Sequence, residues 1–195
     1  MIAAFFSGEA TAQGAWEIDV VRSINPDNGP NKFWKGISSS AAPISLAMPF
    51  GMLAVSLINH DQQLKQQSFE ILGSLVIATA TTQVLKRLVN RPRPYETFTG
   101  IFPDSYEEGK SFPSGHTTTA FSTAASLTLT TKKWYIAVPA FVWATGVGYA
   151  RINMGQHYPS DVMMGALIGT ASGFASHWLM KKITPSKKQP VKQLP

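Results

Sequence analysis

Five stretches of the chain carry no charged residue: 41–58, 71–85, 117–131, 134–150 and 162–180. Four are largely apolar, whereas 117–131 is built from Thr, Ser and Ala with only scattered large side chains. A helix needs about 20 apolar residues to cross a bilayer, with about 17 as the lower limit. The two shortest stretches reach that count only with their polar ends. Trp and Tyr stand at several of the ends, where the headgroup region favours amphipathic rings. The pattern predicts an all-α integral-membrane bundle of about five transmembrane helices. A soluble helical protein with buried core helices is the alternative, and five such segments in so short a chain weigh against it.

Ahead of these spans, "WEIDVVRSIN" has an amphipathic spacing (Trp16, Ile18, Val20 or Val21, Ile24) that predicts a short surface helix. "NPDNGPNK" then reads as a turn-rich connector. Residues 1–13, with a short apolar run followed by "ATAQ", resemble the remnant of a cleaved leader. Residues 184–195 read as a basic flexible tail. One helical domain over 14–183 is therefore expected.

Composition sharpens this picture in two ways. Only 14% of the 195 residues are charged, and the net charge is +6. This balance suits basic membrane loops or an anion ligand. The basic residues are neither gathered on one helix face nor interleaved with aromatics, which argues against nucleic acid as a partner. The absence of cysteine excludes disulfides, thiolate catalysis and cysteine metal sites. Laid across a membrane in alternation, the segments put Lys65, Lys132, Lys133, Lys181, Lys182, Lys187, Lys188 and Lys192 on one side. The positive-inside tendency makes that side cytoplasmic. The N-terminus, the loop 86–115 and the loop 151–161 then face outward.

Those outer loops carry the chemistry. In "VLKRLVNRPRPYETF", Lys86 and Arg87 end a helix and Arg91-Pro92-Arg93-Pro94 must be extended, because a residue before proline is pushed out of the helical region. The prolines fix guanidinium positions, which snorkelling to headgroups would not require. In "SFPSGHTTTAF", Ser114 can cap a helix or donate to an oxyanion, Gly115 allows close backbone approach, and His116 can transfer a proton. In "YARINMGQHYPSDVMMG", Arg151 ends one span and His157 precedes the next. Asp161, four residues on, can accept the imidazole Nδ1–H and leave Nε2 free as a nucleophile or base. Two histidines and an aspartate could suggest a metal, but Lys86, Arg93 and Arg151 would repel a divalent cation and attract a phosphate dianion. His60 and His177 lack such company and read as structural.

The three pieces stand in the order of a known signature: Lys, six residues, Arg-Pro; then "PSGH"; then Arg, five residues, His, three residues, Asp. The chain resembles the type 2 phosphatidic acid phosphatase superfamily, which also holds bacterial acid phosphatases and vanadium haloperoxidases. One departure is Ala150, where the family often has Ser. Another is the count of spans, since integral members usually have six. The resemblance implies a metal-independent, cofactor-free phosphatase. His157 would be the nucleophile oriented by Asp161, and His116 the acid. Lys86, Arg93, Arg151, Ser114 and the Gly115 N–H would bind the phosphate. The six-residue spacing selects Arg93, although Arg91 also precedes a proline.

The expected activity is hydrolysis of a lipid phosphate or pyrophosphate at the outer face of a bacterial-type inner membrane. A periplasmic acid phosphatase and a vanadate-dependent haloperoxidase are the alternatives. Asp104, Glu107 and Glu108 in "YETFTGIFPDSYEEGK" are expected to discourage extra negative charge on the substrate.

Overall fold

A computed structural model describes residues 15–184, so the leader-like start and nearly all of the basic tail lie outside the described residues. The described residues form eight helices and no strand: α1 (Ala15–Ile24), α2 (Lys32–Ser39), α3 (Ala41–Ile58), α4 (Gln62–Val89), α5 (Pro94–Thr97), α6 (Gly115–Thr131), α7 (Trp134–Asn153) and α8 (Pro159–Ile183). Each of the five uncharged stretches lies within one long helix. By length and hydropathy alone, two continuous segments, Lys32–Ile58 and Gln62–Thr97, are long and apolar enough to cross a membrane.

Local chemistry sets the helix ends. Asp61 caps α4 by accepting from the Gln63 and Leu64 N–H groups at 2.9 and 3.0 Å. This start adds "QQLKQQSFE" to the helix ahead of the uncharged stretch 71–85. The helix runs 28 residues, about 42 Å at the usual rise, before Asn90 stops it in the left-handed conformation (φ 53°). Its last turn therefore carries Lys86 and Arg87 to the far end of the bundle.

Helix α6 is the central post, packed against α3, α4, α7 and α8. Its Ser and Thr side chains are buried or half-buried, and they are hydrogen-bonded. Ser122 and Ser126 donate to Ser74 of α4 at 3.0 and 2.7 Å, and Thr123 donates to Ser45 of α3 at 2.9 Å. Gly165, Gly169 and Gly173 of α8 form a one-per-turn stripe against α6. A Cβ built on Gly169 would stand 2.3 Å from the Thr118 carbonyl oxygen, and one on Gly165 would stand 2.8 Å from the Ser114 carbonyl oxygen. Close backbone approach through small residues, with hydroxyls as interhelical donors, is how helices associate in lipid. The large apolar side chains point the other way: Leu46, Phe50, Val76, Val142, Leu167 and Phe174 are all exposed. The outside of this bundle is more apolar than its centre, as a lipid-facing surface requires.

At one end α1 is locked onto the loops instead of lying loosely on a surface. Ile18 and Val21 pack with Ile101, Ile152 and Tyr158. Asn25 donates to the Phe102 and Asn153 carbonyls at 2.9 and 2.8 Å. Trp16, expected on the apolar face of α1, is exposed. At the opposite end His177 of α8 meets Glu70 of α4 at 2.6 Å, a contact between helices that matches its structural reading.

Candidate active site

The loop-and-helix end covered by α1 collects all three sequence motifs. Pro159 opens α8 at its first position, where its missing N–H costs nothing, and this leaves Tyr158 extended at the helix cap with His157 just before it. His157 is 1% exposed. Burial pushes its ring down to about 3, against the pull of Asp161 toward the charged form. The imidazole is therefore neutral at ordinary pH, and one ring nitrogen carries a lone pair. Asp161 lies fully buried, its Oδ2 3.6 Å from His157 Nδ1. This is longer than a hydrogen bond. Ser111 stands between them, its Oγ 3.5 Å from Nδ1 and donating to Asp161 Oδ2. The Tyr158 N–H also donates to Oδ2 at 2.9 Å, closing the first turn of α8.

Asp161 is held from behind by Arg91. The Arg91 guanidinium donates to Asp161 Oδ1 at 2.8 Å and to Ser160 Oγ at 2.7 Å. It also donates to Glu17 Oε2 at 2.6 Å, and its plane lies 3.8 Å over the Tyr158 ring. Glu17 completes the chain by accepting from the Ser160 N–H at 2.9 Å. The structure thus separates the two arginines that precede prolines: Arg91 faces the back of Asp161, and Arg93 points elsewhere.

Arg93 and Arg151 form a cationic pair, 3% and 1% exposed respectively. Arg93 donates to the Gln156 backbone and side-chain oxygens at 3.2 and 3.0 Å and to the Gly109 carbonyl at 3.2 Å. Arg151 donates to Ser38 of α2 at 3.2 Å, and its Nε is a buried donor with no partner. Such a group calls for a ligand oxygen. The carboxylate of Glu107 bonds both guanidinium groups. Burial alone would raise the Glu107 carboxyl, but Arg151 and Arg93 hold it below the usual carboxylate range. Lys86 completes the cluster, its Nζ donating to the Lys110 carbonyl.

Ser114 is the N-cap residue of α6 and is fully buried. Its backbone N–H donates to the Asp161 carbonyl at 3.0 Å, which ties the start of α6 to the start of α8. The next N–H groups, on Gly115 and His116, belong to the open first turn of a helix and favour an anion. Gly115 is open on its Cβ side, with only the Thr82 methyl within 4 Å, at 3.9 Å. His116 looks into a groove of about 260 Å³ between α3, α4 and α6, which is also lined by Ala42, Thr79, Thr82, Gln83, Lys86 and Thr119. Thr82 presents a buried hydroxyl without a partner.

All eight expected site residues (Lys86, Arg93, Ser114, Gly115, His116, Arg151, His157 and Asp161) therefore stand at one end of the bundle. Glu17, Ser111, Gln156, the contact of Arg91 with Asp161 and the placement of Glu107 lie outside what the sequence indicated, where Arg91 stood only as the alternative to Arg93. Of the three acidic loop residues, only Glu107 reaches the arginines: Asp104 pairs with Lys35 at 3.0 Å, and Glu108 is exposed. Chemically, the arrangement joins a neutral buried imidazole, a second histidine at a groove, and three cations that match the oxygens of a phosphate.

Known proteins share this architecture. Among crystal structures, that of Aquifex aeolicus LpxE is 29% identical, with a TM-score of 0.68, covering 83% of this chain and 94% of the other. That of the first transmembrane PAP2 type phosphatidylglycerolphosphate phosphatase from Bacillus subtilis is 21% identical, with a TM-score of 0.70, over 95% and 92% of the two chains. The latter likeness is one of fold. In sequence, a lipid A 1-phosphatase of Rhizobium johnstonii is 32% identical over 124 residues, which is 57% of this chain and 50% of that protein. The chain thus spans about half the length of the curated relative it matches. The family model of the PAP2 superfamily matches residues 67–185, a range that holds every motif residue placed above. The chain belongs to the PAP2 superfamily.

Proposed function

We propose that the chain is a membrane phosphatase that hydrolyses a lipid-borne phosphate or pyrophosphate, without a metal, through a phosphohistidine at His157. The observation that carries this reading is the cluster of Lys86, Arg93 and Arg151 beside a buried neutral histidine, at the mouth of a groove between helices with lipid-facing outer surfaces. The relatives are named for lipid A and phosphatidylglycerolphosphate, two lipids that share a phosphate monoester. The apolar exterior favours a membrane enzyme over a soluble acid phosphatase or haloperoxidase.

In this mechanism the Nε2 lone pair of His157 attacks phosphorus in line. The N–P bond forms as the P–O bond to the leaving alcohol breaks. Asp161 and Ser111 hold the Nδ1 side and stabilise the imidazolium that develops, as an oriented carboxylate does in other nucleophile pairs. His116, protonated from solvent as the phosphate dianion binds beside it, gives that proton to the leaving oxygen and then takes one from the water that attacks the phosphohistidine, so inorganic phosphate departs and both histidines return to the states they had with substrate bound. Lys86, Arg93, Arg151, Ser114 and the Gly115 N–H hold the equatorial oxygens and stabilise charge in the transition state. The alcohol side of the substrate lies along the groove past Thr82 and Gln83. Lys65, Lys132, Lys133, Lys181 and Lys182 sit at the end away from the site, which supports an inner-membrane orientation with the site on the outer face.

The test is phosphate release by the purified chain in detergent micelles with EDTA present, over a panel of lipid phosphates, lipid pyrophosphates and soluble phosphate esters. Release from one or more lipid substrates is expected, faster than from the soluble esters. No release from any, or release only on adding a divalent metal, would contradict the proposal.

A further inference from the structure

Each of the three cations assigned to phosphate is already engaged by one short segment, residues 107–110. The Arg151 Nη2 donates to both Glu107 carboxylate oxygens at 2.7 and 2.8 Å, and the Arg93 Nη2 lies 3.1 Å from Glu107 Oε2. The Arg93 Nε bonds the Gly109 carbonyl, and Lys86 bonds the Lys110 carbonyl. A carboxylate bridging two guanidinium groups occupies donors that a phosphate oxygen would otherwise take. Arg93 and Arg151 are buried, and Glu107 is the sole carboxylate bonded to both among the described residues.

We infer that Glu107 is an internal anion seated in the phosphate site, which the substrate must displace and which helps expel the phosphate product. This rests on the reading of Arg93 and Arg151 as phosphate ligands. The surroundings suit a residue that moves aside. Glu107 lies on the loop between α5 and α6, outside any helix, and its side chain is 29% exposed. The segment is tethered before and at Glu107 by contacts that do not involve the carboxylate. The Tyr95 hydroxyl bonds the Glu107 carbonyl at 3.2 Å, Gln156 bonds the Ser105 carbonyl at 2.6 Å, and Asp104 pairs with Lys35. The side chain can therefore swing toward solvent while the loop stays anchored. With Glu107 withdrawn the two buried arginines would lack a counter-charge, so the empty site closes on its own carboxylate. A phosphate dianion offers acceptor oxygens with greater charge, one of which can also take the unpartnered Arg151 Nε, and so can replace it.

The affinity of a ligand is reduced by the fraction of time its site is open. If Glu107 is seated for 90–99% of the time, removing its charge tightens phosphate binding by about 10- to 100-fold. The experiment is calorimetric titration of the full chain in micelles with inorganic phosphate, which needs no turnover. Glu107→Gln and Glu107→Ala are expected to bind phosphate at least about tenfold more tightly than wild type. Glu108→Gln, an equal change of charge on an exposed neighbour, should change binding by less than about twofold, as a screened surface charge does. Unchanged or weaker binding by both Glu107 variants would overturn the inference, because it would show that Glu107 serves to position the arginines. An equal gain from Glu108→Gln would also overturn it, by reducing the effect to net charge. Failure of wild type and all variants to bind phosphate would remove the phosphate site itself, and the inference with it.

Discussion

Replacing Arg91 with methionine separates orientation of the proposed nucleophile, His157, from the proposed binding of phosphate. The side chain length is kept while three charged contacts are lost: to Asp161 at 2.8 Å, Glu17 at 2.6 Å and Ser160 at 2.7 Å. Asp161 and Glu17 side chains are 0% and 4% exposed, so neither carboxylate can recover its solvation in water. Breaking a buried pair from one side costs about 3–5 kcal/mol. Arg91 itself is 24% exposed, so solvent already screens part of its interaction, and about 2–3 kcal/mol is the better figure. In a chain of this size that lowers the unfolding midpoint by roughly 4–12 °C. Asp161 keeps only Ser111 and the Tyr158 N–H as firm partners, and a shift of about 1 Å in an orienting group can reduce turnover about 100-fold. Thermal unfolding in micelles, phosphate release and phosphate calorimetry together read the outcome. We expect Arg91→Met to lower the midpoint and kcat while leaving phosphate affinity within about threefold of wild type, since that variant does not touch the cradle. An unchanged midpoint and kcat with weakened phosphate binding would refute this and place Arg91 in the cradle.

Two further outcomes follow from burial and packing. Gly169→Ala puts a methyl into the α6 backbone, 2.3 Å from the Thr118 carbonyl oxygen and 2.8 Å from the Ser122 nitrogen, and should cost about 3 kcal/mol or abolish the fold. Gly51→Ala, in α3 with nothing within 4 Å, should be neutral or slightly stabilising, and equal unfolding midpoints for the two would contradict the packing described. The His157 ring, whose pKa burial lowers to about 3, should stay neutral between pH 5 and 9 by nitrogen-15 NMR. A ring titrating near 6.5 would show that it is not buried as described.

Much of this arrangement was legible in the sequence, because it is written in local patterns. A long uncharged stretch and a proline that keeps its predecessor extended each act within a few residues. The 41–58 stretch coincides with α3, and the three motifs separated by loops and helices meet at one end of the bundle. What the sequence hid was pairing across distance. Glu17 and Arg91 are separated by 74 positions, and nothing near either names the other. A signal was available in α1, where Glu17 falls beside Ile18 on the face that is buried. A carboxylate on that face needs a partner. The polar character of 117–131 was visible, but only the packed structure shows its cause: α6 is enclosed by four helices and bonds two of them, α3 and α4, through hydroxyls. The same holds for Glu107. Its loop was recognised as acidic, yet which of three carboxylates reaches the arginines depends on how 98–114 folds back over Tyr95 and Gln156.

The central claim is that His157 carries the phosphoryl group, and acid-labile label trapping tests it most directly. The purified chain is mixed with phosphorus-32-labelled lipid phosphate and quenched in alkali within one turnover, and labelled peptides are mapped. Label on the peptide holding His157, lost on acid treatment and absent from His157→Ala, is the predicted result. Label on a peptide holding His116 instead, or undiminished phosphate release by His157→Ala with no labelled protein, would contradict the account.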